Sequence, residues 1–166
     1  MMPEENDVPK DERLEQPPAF FPEEEFANAI FDDLEPVEVQ IEGIYEMEVD
    51  RHPHRFIFLT DGEKRLPISI GFPEAKAILD PLEHETPDRP MTHDLLKTTI
   101  EKLGASVDRV VIDDLYRDIS YAKVFLNMDG EEIVIDSRPS DAIALAVRFQ
   151  VPIYVQSKVF ASAHKE

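Results

Sequence analysis

Two arginine–proline pairs, each followed closely by an aspartate, are the strongest chemical signal in this 166-residue chain. The first turn runs from Arg89 to Asp94 and contains His93, and the second runs from Arg138 to Asp141. Proline suits the first turn of a helix, because its missing N–H would have had no partner there. The free N–H groups of such a turn attract anions, and a flanking arginine adds two-pronged recognition of phosphate. The pattern predicts a polar site at helix starts, with phosphate as its ligand.

Carboxylates near these two turns are candidate ligands for a metal ion. Glu74 follows Pro73, so it is expected in the first turn of another helix, and Asp136 ends a strand just before Arg138. Mg²⁺ and Mn²⁺ prefer carboxylate oxygens, and metal-assisted hydrolysis of phosphodiesters needs such ligands. If the helix starts converge, the candidate metal ligands are Glu74, Asp94, Asp136 and Asp141.

The same residues suggest individual roles in phosphodiester chemistry. Histidine is the side chain most often used as a general base or acid, so His93 is the candidate for this role; the further catalytic candidates are Asp94, Glu74 and Asp136. The candidate phosphate-binding residues are Arg89, Arg138, Thr92 and Ser140. For Thr92, capping of the helix N-terminus is the simpler role.

A purely structural interpretation of these turns stays open. Acids in a first helical turn are common because they complement the helix dipole. Arginine and aspartate within one turn can also pair and cap without binding anything else. For Glu74, Asp94 and Asp141 a structural role is the simpler interpretation.

The charge of the chain limits its partners. The formal net charge is −19; residues 1–36 hold 12 acids and 2 bases, which leaves 24 acids and 15 bases in residues 37–166. Nucleic-acid binding usually rests on basic surfaces, so we expect any contact with nucleic acid to be weak and local. There is no cysteine, which excludes disulfides and thiolate chemistry. Without a membrane-spanning apolar run or a signal peptide, we expect a cytoplasmic protein with no membrane partner.

The pattern along the chain predicts one folded domain behind an acidic extension. Residues 1–36 are acidic and proline-bearing, so we expect them to be largely disordered, with helix-like spacing only at Phe26, Ile30 and Leu34. Residues 37–166 carry the domain. Alternation predicts strands at 37–49, 55–60, 65–71, 107–115, 121–128, 132–136 and 152–155, and helices at 73–82, 95–103 and 142–147.

Turn residues and element order define the fold class. Asp61-Gly62 and Asp129-Gly130 predict hairpin turns, and Pro67 predicts an edge strand or a bulge. Strands cluster, then helices, then strands again, and a last helical turn is expected at 157–163. This order predicts a single α+β domain with a mainly antiparallel sheet and about three packed helices.

Four sequence blocks together resemble the bifunctional nuclease domain family, over about residues 37–160. They are Ile70-Gly71, Glu74-Ala75 with Ala77-Ile78, Arg89-Pro90 with residues 92–96, and Asp136 with residues 138–146. The resemblance implies an α+β fold, a homo-oligomer of at least two copies, and the DNase and RNase activity assigned to plant relatives. On this basis the chain is expected to hydrolyse RNA or DNA. One alternative is a non-catalytic binding or oligomerisation module. The other is a small-anion or nucleotide sensor, although the sequence has no glycine-rich phosphate loop to support it.

Overall fold

The computed structural model describes residues 35–49, 51–116 and 119–163. Contacts divide the chain into Met1–Asp32 and Asp33–Glu166, and all the described residues belong to the second unit. The predictions for residues 1–34, disorder and a helix-like segment, lie outside the described residues.

Seven strands and four helices make up the described part of the chain. The strands are β1 (Pro36–Val49), β2 (His52–Thr60), β3 (Arg65–Ile70), β4 (Ala105–Tyr116), β5 (Ile119–Met128), β6 (Glu131–Ser137) and β7 (Ile153–Gln156). The helices are α1 (Phe72–Leu82), α2 (Thr92–Lys102), α3 (Pro139–Phe149) and α4 (Ser157–Ala163). None of these helices has the length and apolar character needed to cross a membrane.

All seven strands form one sheet in the order β3-β2-β1-β7-β4-β5-β6. Every neighbouring pair is antiparallel except β4 and β7, so the predicted α+β fold with a mainly antiparallel sheet is confirmed. The long strand β1 joins the two halves, because Pro36–Val39 pair with β7 and the later residues pair with β2. The change of partner falls between Val39 and Gln40, and a bulge between Ile41 and Gly43 lies just inside the pairing with β2.

Both predicted hairpin turns are present. The Asp61 carboxylate accepts hydrogen bonds from the N–H groups of Glu63 (2.9 Å) and Lys64 (2.7 Å), and Gly62 has a φ of +98°. In the other turn, Asp129 and Gly130 have φ angles of +55° and +86°, the left-handed conformation that a tight hairpin requires. These turns fix β2 against β3 and β5 against β6.

The main core lies between one face of the sheet and the helices. Helix α3 is the most deeply buried helix, and it contacts α1, α2, β4 and β5. Its buried stretch is Ala142, Ile143, Ala144, Leu145 and Ala146. The three alanines keep the helix close to its neighbours, so the starts of α1, α2 and α3 can lie near one another.

We expect Ile112→Ala to lower the free energy of unfolding by about 2–5 kcal/mol, because it opens a cavity in the middle of the sheet. Ile112 is completely buried. The matched control is Leu103→Ala, since Leu103 is 72% exposed; its effect should stay within about 0.5 kcal/mol. Chemical denaturation measures both, and equal losses in the two variants would contradict the described core.

Candidate functional site

The predicted convergence of helix starts is present for three helices. Helix α1 begins after Gly71, α2 begins after Met91, and α3 begins after Arg138 with Pro139 as its first residue. Thr92 is the first residue of α2, so its predicted N-cap role is wrong. The backbone N–H of Met91, the actual N-cap residue, instead donates a 2.8 Å hydrogen bond to the Asp94 carboxylate.

Arg138 connects the three first turns. Its Nε and Nη2 donate to the two oxygens of Asp141, at 2.7 and 3.0 Å. Its Nη1 donates to Glu74 Oε1 at 3.1 Å. His93 Nε2 lies 2.9 Å from Asp141 Oδ1, so α2 joins the same network. One arginine and three first-turn side chains, Glu74, His93 and Asp141, therefore form a continuous polar cluster, which we call the helix-start cluster.

Gly71 gives Glu74 the space to reach this cluster. A Cβ atom on residue 71 would collide with the Glu74 carboxylate, which folds back over the start of α1. The φ angle of Gly71 is −79°, so close approach and not backbone conformation explains the glycine. The present position of the Glu74 carboxylate therefore depends on the missing side chain at residue 71.

Charge pairing sets the protonation of the cluster. Burial raises the pKa of Asp141, but hydrogen bonds from Arg138 and His93 outweigh it and hold this pKa below its usual value. Hydrogen bonding and the charge of Asp141, followed by those of Glu74, raise the pKa of Arg138 above its ordinary value. Asp141 is therefore a carboxylate across the neutral pH range, and Arg138 is a permanent cation.

The helix-start cluster lines a cleft of about 930 Å³. His93 is largely buried there, whereas the Arg138 side chain is 64% exposed. The cleft lies between α1, α2 and α3 and the outer strands of the sheet, and Thr92 borders it. Its apolar walls come from Phe72, Ala77, Met91, Leu96, Ile100, Val124, Leu126, Ile135 and Leu145. Such a shape suits a ligand with one apolar part and one anionic part.

Asp94 points away from the helix-start cluster. It accepts a 2.7 Å hydrogen bond from Nε of Arg148, whose side chain is only 6% exposed. Arg148 also donates to the carbonyl oxygens of Ala77 (2.6 Å) and Ala144 (3.0 Å). Burial raises the pKa of Asp94, but Arg148 and the Met91 N–H outweigh this effect and lower it. Asp94 thus ties α2 to α1 and α3.

Asp136 bonds to a different cation. Its carboxylate accepts a 2.6 Å hydrogen bond from Lys123, which pairs with it directly across β5 and β6. Neighbouring strand residues project from opposite faces, and Val124 belongs to the core beneath the helices. The Asp136 carboxylate therefore lies on the reverse face of the sheet, although the residue borders the cleft. Lys123 also lies 3.8 Å from Asp113, whose pKa is raised by burial.

The two remaining predicted residues differ in their placement. Arg89 is exposed and is not among the described residues that line the cleft. Ser140 is buried and lines a second, smaller cavity of about 540 Å³, which Glu74 and Arg138 of the helix-start cluster also line. The sequence interpretation missed Arg148 and Lys123. For Lys123 a signal was available, because a charged residue stands within an apolar strand in Ala122-Lys123-Val124.

The four predicted metal ligands do not fit a shared cation in this arrangement. Glu74 and Asp141 bond to Arg138, Asp94 bonds to Arg148, and Asp136 bonds to Lys123 on the other face of the sheet. Among the described residues, no group of three or more histidine, aspartate or glutamate side chains is placed to hold a metal ion. Metal dependence stays a prediction.

Comparison with known proteins defines the family. The model of the bifunctional nuclease domain matches residues 57–166, and the chain belongs to this family. An uncharacterized protein of Mycobacterium tuberculosis H37Rv is 38% identical over 126 residues, which cover 76% of this chain and 75% of the relative. Bifunctional nuclease 1 of Oryza sativa subsp. japonica is 33% identical over 116 residues, which cover 66% of this chain and 35% of the relative.

A second plant relative shows the same partial coverage. Bifunctional nuclease 1 of Arabidopsis thaliana is 30% identical over 108 residues, which cover 63% of this chain and 33% of the relative. The match thus spans about a third of the length of each of these two plant relatives. The family identified from four short blocks is confirmed.

We expect Asp94→Asn to lower the free energy of unfolding at pH 7 by about 1–3 kcal/mol, because buried Arg148 loses its charged partner. The pKa of Asp94 is lower in the folded chain than in the unfolded chain. Its stabilising effect is therefore present above about pH 3.9 and is lost as the pH falls through the folded-state pKa. Urea denaturation from pH 7 to pH 3 should show the two proteins converging. The control is Asp88→Asn in the exposed loop, and a pH-independent gap for Asp94→Asn would contradict the assignment.

Proposed function

We propose that this chain hydrolyses phosphodiester bonds of RNA or DNA at the helix-start cluster. The observation that carries the proposal is the linked set of Arg138, Asp141 and His93 along one cleft. The plant relatives are named bifunctional nucleases, and this name supplies the reaction class. A cation for phosphate, an imidazole for proton transfer and a carboxylate to orient the imidazole are the groups that such a reaction uses.

His93 is the proposed general base. In the tautomer with the hydrogen on Nε2, the Nε2–H group donates a hydrogen bond to Asp141. Nδ1 then carries a lone pair that can accept a proton. In the proposed step, the oxygen of a water molecule attacks phosphorus while one of its protons passes to His93, and the bond from phosphorus to the leaving oxygen breaks. The imidazolium then gives that proton to the leaving oxygen, which restores neutral His93. Asp141 stabilises the transient positive charge on the ring.

Arg138 is the proposed phosphate-binding group. A guanidinium has five N–H donors, and three of them donate to Asp141 and Glu74. Two donors are left for phosphate oxygens, and the 64% exposure of the side chain makes them reachable. Glu74 holds Arg138 by one bond of 3.1 Å, compared with the two-pronged pairing to Asp141. An incoming phosphate would therefore compete with Glu74 and leave the other pair intact.

The overall charge of −19 shapes how a nucleic acid would bind. Long-range repulsion from the acidic chain slows association, so recognition depends on short-range contacts in the cleft. We propose a weak, local nucleic-acid contact that becomes weaker at low ionic strength, where the repulsion is least screened. Mg²⁺ or Mn²⁺ bound to the nucleic acid would reduce this repulsion without being held by a set of protein ligands.

A cytoplasmic location also stays a prediction.

We expect His93→Ala to lower the rate of hydrolysis of single-stranded RNA and DNA by about 10²-fold or more, because the proton acceptor is lost. Arg138→Ala should cause a loss of at least about tenfold by removing the phosphate donor. The matched control is Arg89→Ala, which changes the other arginine–proline turn outside the cleft and should stay within about twofold of wild type. Rates are measured with and without Mg²⁺ or Mn²⁺, beside melting temperatures.

The same experiment separates catalysis from the non-catalytic alternative. Arg138 joins α3 to α1 and, through Asp141, to α2, so the helix-start cluster could also serve only as a clamp. Wild-type activity equal to that of both His93→Ala and Arg138→Ala would mean contamination. If Arg138→Ala then also lowered the melting temperature, the clamp role would replace the nuclease proposal.

We expect Glu74→Gln to tighten binding of a non-hydrolysable phosphorothioate dinucleotide by about three- to tenfold. The variant removes the negative charge that competes for Arg138 but keeps the shape of the side chain. Isothermal calorimetry measures the change, with Glu42→Gln on the surface of β1 as the control. Unchanged binding together with a lost metal-dependent activity would instead favour the predicted role of Glu74 as a metal ligand.

A further inference from the structure

Two large apolar side chains lie exposed beside the helix-start cluster. Phe72 is the first residue of α1, two positions before Glu74, and it is 61% exposed. Met91 is the N-cap residue of α2, two positions before His93, and it is 48% exposed. Both line the cleft that the helix-start cluster also lines. Single exposed apolar residues are common on protein surfaces, but large ones grouped with polar residues in one cleft are typical of a ligand pocket.

Phe72 is held in place by a cation on the sheet. The Cζ atom of Arg55 lies 5.2 Å from the centre of the Phe72 ring. Arg55 belongs to β2 and forms an ion pair of 2.5 Å with Glu46, its partner across β1 and β2. A guanidinium over the face of a ring attracts its π electrons, so this contact favours one orientation of the ring. The ring therefore offers a flat surface of fixed orientation to the cleft.

This flat surface lies close to the proposed phosphate-binding group. Two residues along a helix are about 3 Å apart along its axis, so the backbone of Phe72 lies next to that of Glu74. Glu74 Oε1 in turn accepts a 3.1 Å hydrogen bond from Arg138 Nη1. A ligand with an anionic group for Arg138 and a flat aromatic group for Phe72 would use both surfaces at once. A nucleotide carries such a pair of groups, a phosphate and a base.

We propose that Phe72 is the stacking platform for the base of a nucleotide whose phosphate is bound by Arg138, and that Met91 contacts the same nucleotide from α2. The flexible, polarisable thioether of methionine suits contact with an aromatic ligand. This inference rests on the proposed function and specifies its substrate class, a strand with an unpaired base. In a duplex the faces of each base are covered by its neighbours, so a base reaches a protein ring only from a single strand or by leaving the stack.

The platform also limits what the site can discriminate. Every base has a π face, so stacking tolerates all sequences. Phenylalanine has no hydrogen-bonding group in its side chain, so Phe72 does not distinguish ribose from deoxyribose. The net charge of −19 opposes general attraction to a strand backbone, which leaves short-range contacts to base and phosphate as the source of affinity. The site should therefore accept RNA and DNA strands of any sequence.

Calorimetry with two matched ligands tests the platform. One is the non-hydrolysable phosphorothioate dinucleotide, and the other is the same sugar–phosphate unit without its bases. We expect Phe72→Leu to weaken binding of the dinucleotide by about fivefold or more, because stacking is lost while apolar bulk is kept. Binding of the abasic ligand should stay within about twofold of wild type, since its phosphate contact is unchanged. Phe72→Trp should bind the dinucleotide at least as tightly as wild type, because an indole ring also stacks.

The matched control is Phe149→Leu. Lys97 Nζ lies 5.3 Å from the centre of the Phe149 ring, so this variant also removes a ring that contacts a cation. Phe149 is not among the described residues that line the cleft. The affinity of Phe149→Leu for both ligands should match that of wild type, and melting temperatures show whether each variant is folded.

The outcomes separate the platform from the proposed hydrolysis. Equal affinity of wild type and folded Phe72→Leu for the dinucleotide, with Arg138→Ala still weakening both ligands, would overturn the platform and leave the phosphate site in place. If Arg138→Ala leaves the affinity for both ligands unchanged, the proposed function and the platform fail together. Wild type that binds the dinucleotide no more tightly than the abasic ligand would also contradict stacking on Phe72.

Discussion

The ion pair between Arg138 and Asp141 is the interaction on which the site depends. It joins the end of β6 to the first turn of α3, and each partner reaches one further helix. Arg138 contacts Glu74 on α1, and Asp141 contacts His93 on α2. Because both partners serve two helices, one bidentate contact sets the position of every polar group in the helix-start cluster.

Helix α2 makes this dependence stronger, since none of its residues is fully buried. It is held by polar contacts: Asp94 with Arg148, His93 with Asp141, and Lys97 Nζ with the Arg148 carbonyl oxygen at 2.9 Å. A helix attached mainly by charges has little apolar stabilisation to keep it in place if one charge is lost. The position of His93 therefore depends on the charges of the whole site. The acids that hold the site together, Asp141 and Glu74, also lower the affinity of the site for anions.

Local sequence patterns predicted most of the fold. The alternation at residues 37–49 and the Asp61-Gly62 and Asp129-Gly130 pairs identified strands and hairpins that the structure confirms, because these signals depend on neighbouring residues. The insertion of β7 between β1 and β4 depends on distant contacts and was not predicted. Within the site, helix-start spacing correctly grouped Glu74, His93, Arg138 and Asp141. It could not separate Asp94 or Asp136 from them, because their cations Arg148 and Lys123 lie on other elements.

Arginine side-chain NMR offers the most direct measurement of the central claim that the helix-start cluster receives a phosphate. The Nε–Hε signal of Arg138 and the ring nitrogens of His93 would be followed while a non-hydrolysable single-stranded oligonucleotide is added. The account predicts saturable shifts at Arg138, His93 and the cleft-lining residues, with the Arg89 signal unchanged. Shifts confined to other surfaces, or no shift of the Arg138 signal at millimolar ligand, would contradict it.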